Sequence, residues 1–176
     1  MLPALPKPLL LAHRGASAYA PENTLAAFQL ALQQGAHGVE LDAKLSADGA
    51  IVVMHDASVD RTTNGSGKVK ELPLAALREL DAGFHATNGY HGEKVPTLVE
   101  VLETLGKRAY VNIELTNYFS PGDRLPELAA ALVAQMDLQA TVIFSSFLPT
   151  NLHRVRAVLP QARVAMLVYR GTLGWV

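Results

Sequence analysis

The chain has 176 residues, 49% hydrophobic and 18% charged, with 15 Lys+Arg against 16 Asp+Glu for a formal net charge of −1. That size and composition fit one folded domain with a core of its own and exclude a disordered or collagen-like chain, while the balanced charge without a basic block excludes an electrostatic nucleic-acid footprint. The absence of cysteine excludes disulfides, thiolate zinc sites, iron–sulfur clusters and cysteine nucleophiles, so any metal is expected on oxygen or imidazole.

Residues 9–12, Leu-Leu-Leu-Ala, form a short apolar run of the kind found in a strand buried on both faces. The run is too short for a signal-peptide core. No apolar stretch approaches the ~18 residues of a membrane span, so the expected location is cytoplasmic. Leu25, Phe28 and Leu32 follow at helical spacing, with Asn23 or Thr24 as N-cap and Gly35 as stop. Residues 38–42 and 51–54 read as strands joined through the turn Ala47-Asp48-Gly49. The segment 64–67, Asn-Gly-Ser-Gly, is a turn, and it lacks the pattern of a phosphate-binding P-loop. Leu74, Leu77 and Leu80 mark a short helix after Pro73. Thr97 and Glu100 then have capping-box spacing ahead of a Leu98, Val101, Leu102 and Leu105 stripe that Gly106 closes. Strands are expected at 110–115, 141–144 and 163–168, with helices at 124–136 and 151–158 between them.

This largely alternating order argues for a parallel sheet with helical crossovers, either an open doubly wound sheet or a (β/α) barrel. Six strands are predicted, where a complete barrel has eight strands and typically ~250 residues.

Polar residues fall at the expected C-terminal strand ends, the rim where parallel α/β folds bind ligands. His13 and Arg14 follow the first strand, Glu40 and Asp42 the second, His55 and Asp56 the third, Asn112 and Glu114 the fourth, and Ser145 and Ser146 the fifth. Strand alternation places Glu40 and Asp42 on one face, and Asn112 and Glu114 likewise. Converging carboxylates repel unless an ion neutralises them, and all-oxygen ligation favours Mg²⁺ or Ca²⁺. Taken singly, each acid is more simply a surface ion-pair partner. His13 and His55, at equivalent strand ends, suit acid/base catalysis, and the Arg14 fork suits a phosphate or carboxylate. The plainer role for Arg14 is a salt bridge to Glu40 or Glu22. The remaining histidines, His37, His85, His91 and His153, have no comparable company and receive no catalytic role. Ser145-Ser146 lacks a nucleophile-elbow pattern.

Together, His13-Arg14-Gly15-Ala16-Ser17, Pro21-Glu22-Asn23-Thr24 with Phe28, Glu40-x-Asp42, Asp48-Gly49, His55-Asp56 and Arg61-Thr62-Thr63-Asn64-Gly65 closely resemble the glycerophosphodiester phosphodiesterase family. Pro96-Thr97-Leu98 and Asn112-Ile113-Glu114 extend the likeness, which runs from about Leu10 to Phe147. The resemblance implies a single domain over 1–176 with a TIM-type (β/α) barrel fold. It also implies hydrolysis of small-molecule glycerophosphodiesters to glycerol 3-phosphate and an alcohol. Glu40, Asp42 and Glu114 match the family's positions for one divalent cation, Mg²⁺ or Ca²⁺; His13 and His55 match its catalytic histidines, and Arg14 its phosphate-binding arginine.

Two departures stand out. Family members commonly carry a lysine two residues after the fourth-strand glutamate, where this chain has Thr116, so one phosphate contact is expected to be lost. The family also continues through two further strand–helix units and a late tryptophan segment, for which Trp175 falls too early. The expected fold is therefore a barrel truncated after about six strands, with the exposed sheet edges covered by a homo-oligomer. A catalytically impaired phosphodiester-binding or scaffold protein is the alternative function. A lipid-acting phospholipase ranks last because no amphipathic or basic docking segment is present.

Overall fold

The computed structural model describes residues 7–87 and 89–168; Trp175 lies outside them. Strands β1 (Leu11–His13), β2 (Gly38–Leu45), β4 (Tyr110–Leu115), β5 (Val142–Ser146) and β6 (Arg163–Met166) pair in parallel and in that order. Strand β3 (Ile51–Val53) pairs off this path, with β2. A doubly wound sheet reverses its strand order at a switch point, whereas a (β/α) barrel keeps chain order around the wall. The continuous order therefore identifies the barrel type.

Helices α1 (Leu25–Gln33), α2 (Leu74–Glu79), α3 (Leu98–Leu105), α4 (Leu125–Gln135) and α5 (Pro149–Val158) follow the predicted stripes. Local chemistry starts two of them. The Thr24 hydroxyl accepts from the Ala27 amide at 3.2 Å, and Thr97 and Glu100 close a reciprocal capping box. The main core includes Val39, Leu41, Ala43, Val111, Ile113, Leu115, Val142 and Phe144, packed with Phe28, Leu98, Leu102 and Val133 from the helices. Alternate strand positions leave Glu40, Asp42, Asn112, Glu114 and Ser145 on the opposite face.

Two strands differ from the expectation. The first is half-buried rather than buried on both faces, with Leu10 56% exposed beside it, because β1 pairs only with β2 among the described residues. The second difference bears on the site. Strand β3 is not a further parallel strand of the wall: it folds back antiparallel on the far end of β2, pairing Ala43 with Val53 and Leu45 with Ile51. The turn between them is stitched by Ser46, whose amide donates to the Ala50 carbonyl at 2.9 Å and whose hydroxyl donates to Asp48 at 2.6 Å. A connection this short permits a hairpin, whereas a parallel return needs a crossover of a dozen or more residues. As a result β2 lies directly against β4.

Candidate metal and phosphodiester site

The β2–β4 register sets Glu40 opposite Asn112 and Asp42 opposite Glu114. Ligand oxygens of Glu40, Asp42 and Glu114 all lie within 4.8 Å of one another, with Glu40 and Asp42 buried and Glu114 half-buried. A barrel strand between β2 and β4 would have separated these acids by a further ~5 Å.

Burial, together with the neighbouring Asp42 and Glu114 charges, pushes the Glu40 carboxyl up to about 8. Its Oε1 is buried without a hydrogen-bond partner, as is the Asn112 Oδ1 on the facing strand. Crowded carboxylates with an orphaned buried oxygen fit a divalent cation, and the all-oxygen donor set matches a hard ion.

The turn after β1 wraps this cluster. Arg14 and Gly15 adopt φ of 57° and 81°, and a Cβ on Gly15 would lie 2.7 Å from the Ala27 carbonyl carbon of α1. In this conformation the Arg14 amide donates to the Glu40 carbonyl at 3.0 Å and to Glu40 Oε2 at 3.1 Å. His13, 69% exposed at its side chain, places Nε2 at 3.8 Å from the same carboxylate oxygen. Asn23 also takes a positive φ, 60°, and is buried; its amide donates to Asp42 Oδ2 at 2.9 Å and its carbonyl accepts from the Asp42 amide at 3.3 Å. Backbone strain of this kind gathers at functional sites.

His55 reaches the same rim because β3 returns toward it. The Met54 amide donates to the Asp42 carbonyl at 2.8 Å, which fixes the next residue beside the acids. Nδ1 of His55 lies 2.7 Å from Asp56 Oδ1. Asp56 is held down to about 2, chiefly by its hydrogen bonds from Arg61 and then by His55. An ionised carboxylate can only accept, so Nδ1 carries the proton of this hydrogen bond and Nε2 is the nitrogen left to face a substrate. Arg61 bridges onward to both oxygens of Glu22, at 2.9 and 2.7 Å, and Glu22 accepts from Arg14 Nη1 at 3.1 Å. Arg14 Nε in turn lies 3.4 Å from Asp42. A continuous chain of charges thus links His55 to the carboxylate cluster.

The structure brings all six predicted site residues, His13, Arg14, Glu40, Asp42, His55 and Glu114, to this one rim. Several partners had other roles or none in the sequence reading. Glu22 was expected as a salt-bridge partner of Arg14, which it is, and Asn23 as an alternative N-cap, a place Thr24 takes; Arg61 was visible only as part of a motif. Tyr118, whose hydroxyl donates to Glu114 Oε1 at 2.7 Å, gave no signal beyond its place four residues after that glutamate. Lys44 had a signal that strand alternation could have supplied, since it lies two residues past Asp42 on the same face. Its ammonium donates to the Thr116 carbonyl at 2.9 Å and hydroxyl at 2.7 Å. A lysine from β2 therefore reaches the very residue whose identity suggested a missing cation. Ser146 is spent on structure, donating to the Leu115 carbonyl and accepting from Asn151.

Among the described residues, no helix is long and apolar enough to cross a membrane. Residues 13–173 match the model of the glycerophosphoryl diester phosphodiesterase family. A glycerophosphodiester phosphodiesterase of Caldanaerobacter subterraneus subsp. tengcongensis is 40% identical over 166 residues, covering 94% of this chain and 68% of the relative. Among solved structures, a glycerophosphodiester phosphodiesterase from Agrobacterium tumefaciens superposes with a TM-score of 0.80 at 40% identity, covering 89% of this chain and 65% of its own. An Oleispira antarctica phosphodiesterase in complex with the product sn-glycerol-3-phosphate superposes with a TM-score of 0.82 at 37% identity, covering 96% and 69%. The chain thus spans about two thirds of the length of these relatives. With that extent of likeness added to the in-order parallel wall, the chain belongs to the glycerophosphoryl diester phosphodiesterase family.

Proposed function

We propose that this chain is a phosphoric diester hydrolase that cleaves glycerophosphodiesters to glycerol 3-phosphate and an alcohol. The observation that carries the reading is the convergence of three carboxylates, two of them buried, with His13 at 3.8 Å from one of them. Glu40, Asp42 and Glu114 hold one divalent cation, Mg²⁺ or Ca²⁺, which when bound supplies Lewis-acid polarisation of a phosphoryl oxygen. Asn23 and Tyr118 orient two of the ligands by hydrogen bonds at 2.9 and 2.7 Å.

Arg14 is braced by Glu22 through Nη1, and no hydrogen bond from its Nη2 is present among the described residues. That edge of the planar fork offers donors to a phosphate oxygen. His55, with Nδ1 committed to Asp56, uses Nε2 to take the proton lost by the nucleophile. His13 returns a proton to the departing alkoxide. The net change is one P–O bond broken, one formed, and one water consumed.

The test is turnover of glycerophosphocholine with Mg²⁺ or Ca²⁺, for the wild type and for His13→Ala. Activity that EDTA abolishes and that the variant lacks is expected. Equal residual rates in both proteins refute the catalytic assignment, and binding without turnover makes the chain a phosphodiester-binding protein instead.

A further inference from the structure

Directly beyond the carboxylates lies a cavity of about 560 Å³ that the reaction above leaves without a role. Lys44 and Thr116 line it, each two residues past a proposed ion ligand, Lys44 about 7 Å further along β2 and Thr116 just past the end of β4. Asp56, the partner of His55, belongs to its wall. The cavity is thus walled by residues two positions beyond two of the ion ligands and by the acid partner of the proposed base. Its volume is several times what a three-carbon glycerol arm fills, and Phe119, 82% exposed, stands among its lining residues.

The charges lining this space are unequal in their commitments. Its two acids are already engaged. Asp56 is bound by Arg61 at 2.6 Å, and Asp123 accepts from Asn117 at 2.8 Å, Ser120 at 2.7 Å and the Leu125 amide at 3.0 Å. The lysines are less so. Lys44 donates to the neutral oxygens of Thr116 and makes no direct ion pair among the described residues, although the charges of Asp42, Glu114, Asp56 and Asp123 act on it. Lys70 has no ion pair among the described residues, and Lys68 has only a surface partner, Glu71 at 3.3 Å, with both side chains about 60% exposed. A solvent-exposed pair of that kind contributes little and is easily exchanged. Three lysines against two acids that are already hydrogen-bonded leave the lining with a net positive charge.

We infer that this cavity receives the variable alcohol arm of the diester and selects arms that carry negative charge. The inference rests on the reaction proposed above. The glycerol arm is neutral in every substrate of the class, so the lysines can discriminate only through the other arm. A phosphate or carboxylate on that arm finds Lys44 at the inner end and Lys68 and Lys70 beside it. A quaternary ammonium meets like charge there, and juxtaposed like charges are a means of rejecting the wrong partner.

Steady-state kcat/KM for three diesters that share glycerol tests this: glycerophosphoinositol phosphate with an anionic arm, glycerophosphoglycerol with a neutral one, and glycerophosphocholine with a cationic one. The expected order is anionic, then neutral, then cationic. Lys70→Glu, at an exposed position, should lower the anionic-to-choline ratio about tenfold, and Lys44→Gln should lower it by a similar factor. Thermal melts establish that both variants are folded. A wild-type preference for choline, or a ratio unchanged in the folded variants, overturns the inference. If the wild type turns over none of the three, the reaction itself fails, and calorimetric binding of the same diesters then decides the cavity's role. The same order of affinities supports charge selection, and equal affinities overturn it.

Discussion

Glu40→Gln should have opposite consequences for stability with and without a divalent ion. In the metal-free protein, burial and the neighbouring Asp42 and Glu114 raise the Glu40 carboxyl from 4.5 to about 8. The group is thus ionised in the unfolded chain but largely protonated in the folded one at neutral pH, and folding must take up a proton. At pH 7 this costs about 1.4 kcal/mol for each of the roughly 2.5 pH units above the unfolded value, or about 3 kcal/mol. The amide of Glu40→Gln has no such cost, and its oxygen can still accept from the Arg14 amide, now 3.1 Å from Oε2. At about 2–4 °C per kcal/mol for a chain of this size, the metal-free variant should melt some 6–12 °C above the wild type. The sign of the pH dependence follows. The cost is absent below pH 4.5, grows as pH rises, and is complete above about 8, so the two melting curves converge in acid. Mg²⁺ or Ca²⁺ at a thousandfold excess over Kd should reverse the order, because the wild type then gains about 4.1 kcal/mol, more than the cost above, while the variant lacks one ligand. Melts by circular dichroism in EDTA and in excess ion, across this pH range, read all of these outcomes. A variant no more stable than the wild type in EDTA, or stabilised equally by the ion, refutes the reasoning.

Asn23→Gly keeps the positive φ accessible while removing the amide that orients Asp42; ion affinity measured by calorimetry should fall about 10–100-fold with the fold retained. Arg61→Ala should weaken the protein at neutral pH, with the difference from the wild type closing in strong acid. Arg61 is the main cause holding Asp56 near 2, so the stabilisation is present above pH 3.8 and is lost as pH falls through about 2. An acid titration should show the variant unfolding at higher pH than the wild type, and coincident curves would deny the coupling. Gly38→Ala should destabilise the β2–β4 junction by about 3 kcal/mol or more, since the added Cβ would lie 2.1 Å from the Tyr110 carbonyl oxygen; chemical denaturation measures it.

Local rules made much of this protein readable. Thr24 and Thr97 cap their helices because side-chain oxygens satisfy amides only three residues away. The period of two put Glu40 with Asp42, and Asn112 with Glu114, on common faces before any strand was paired. Strand order was beyond such rules. Residues 51–53 are β-branched enough to form a strand anywhere, and only the tight turn after Leu45 and the pairing of Ala43 with Val53 made them a hairpin. That folding back lets β4 dock on β2 and brings Glu114 to Asp42. The bonds Asn23–Asp42, Glu22–Arg61 and Lys44–Thr116 span 19, 39 and 72 residues. Periodicity says which way a side chain points from its own strand, and only the packed chain decides what it meets.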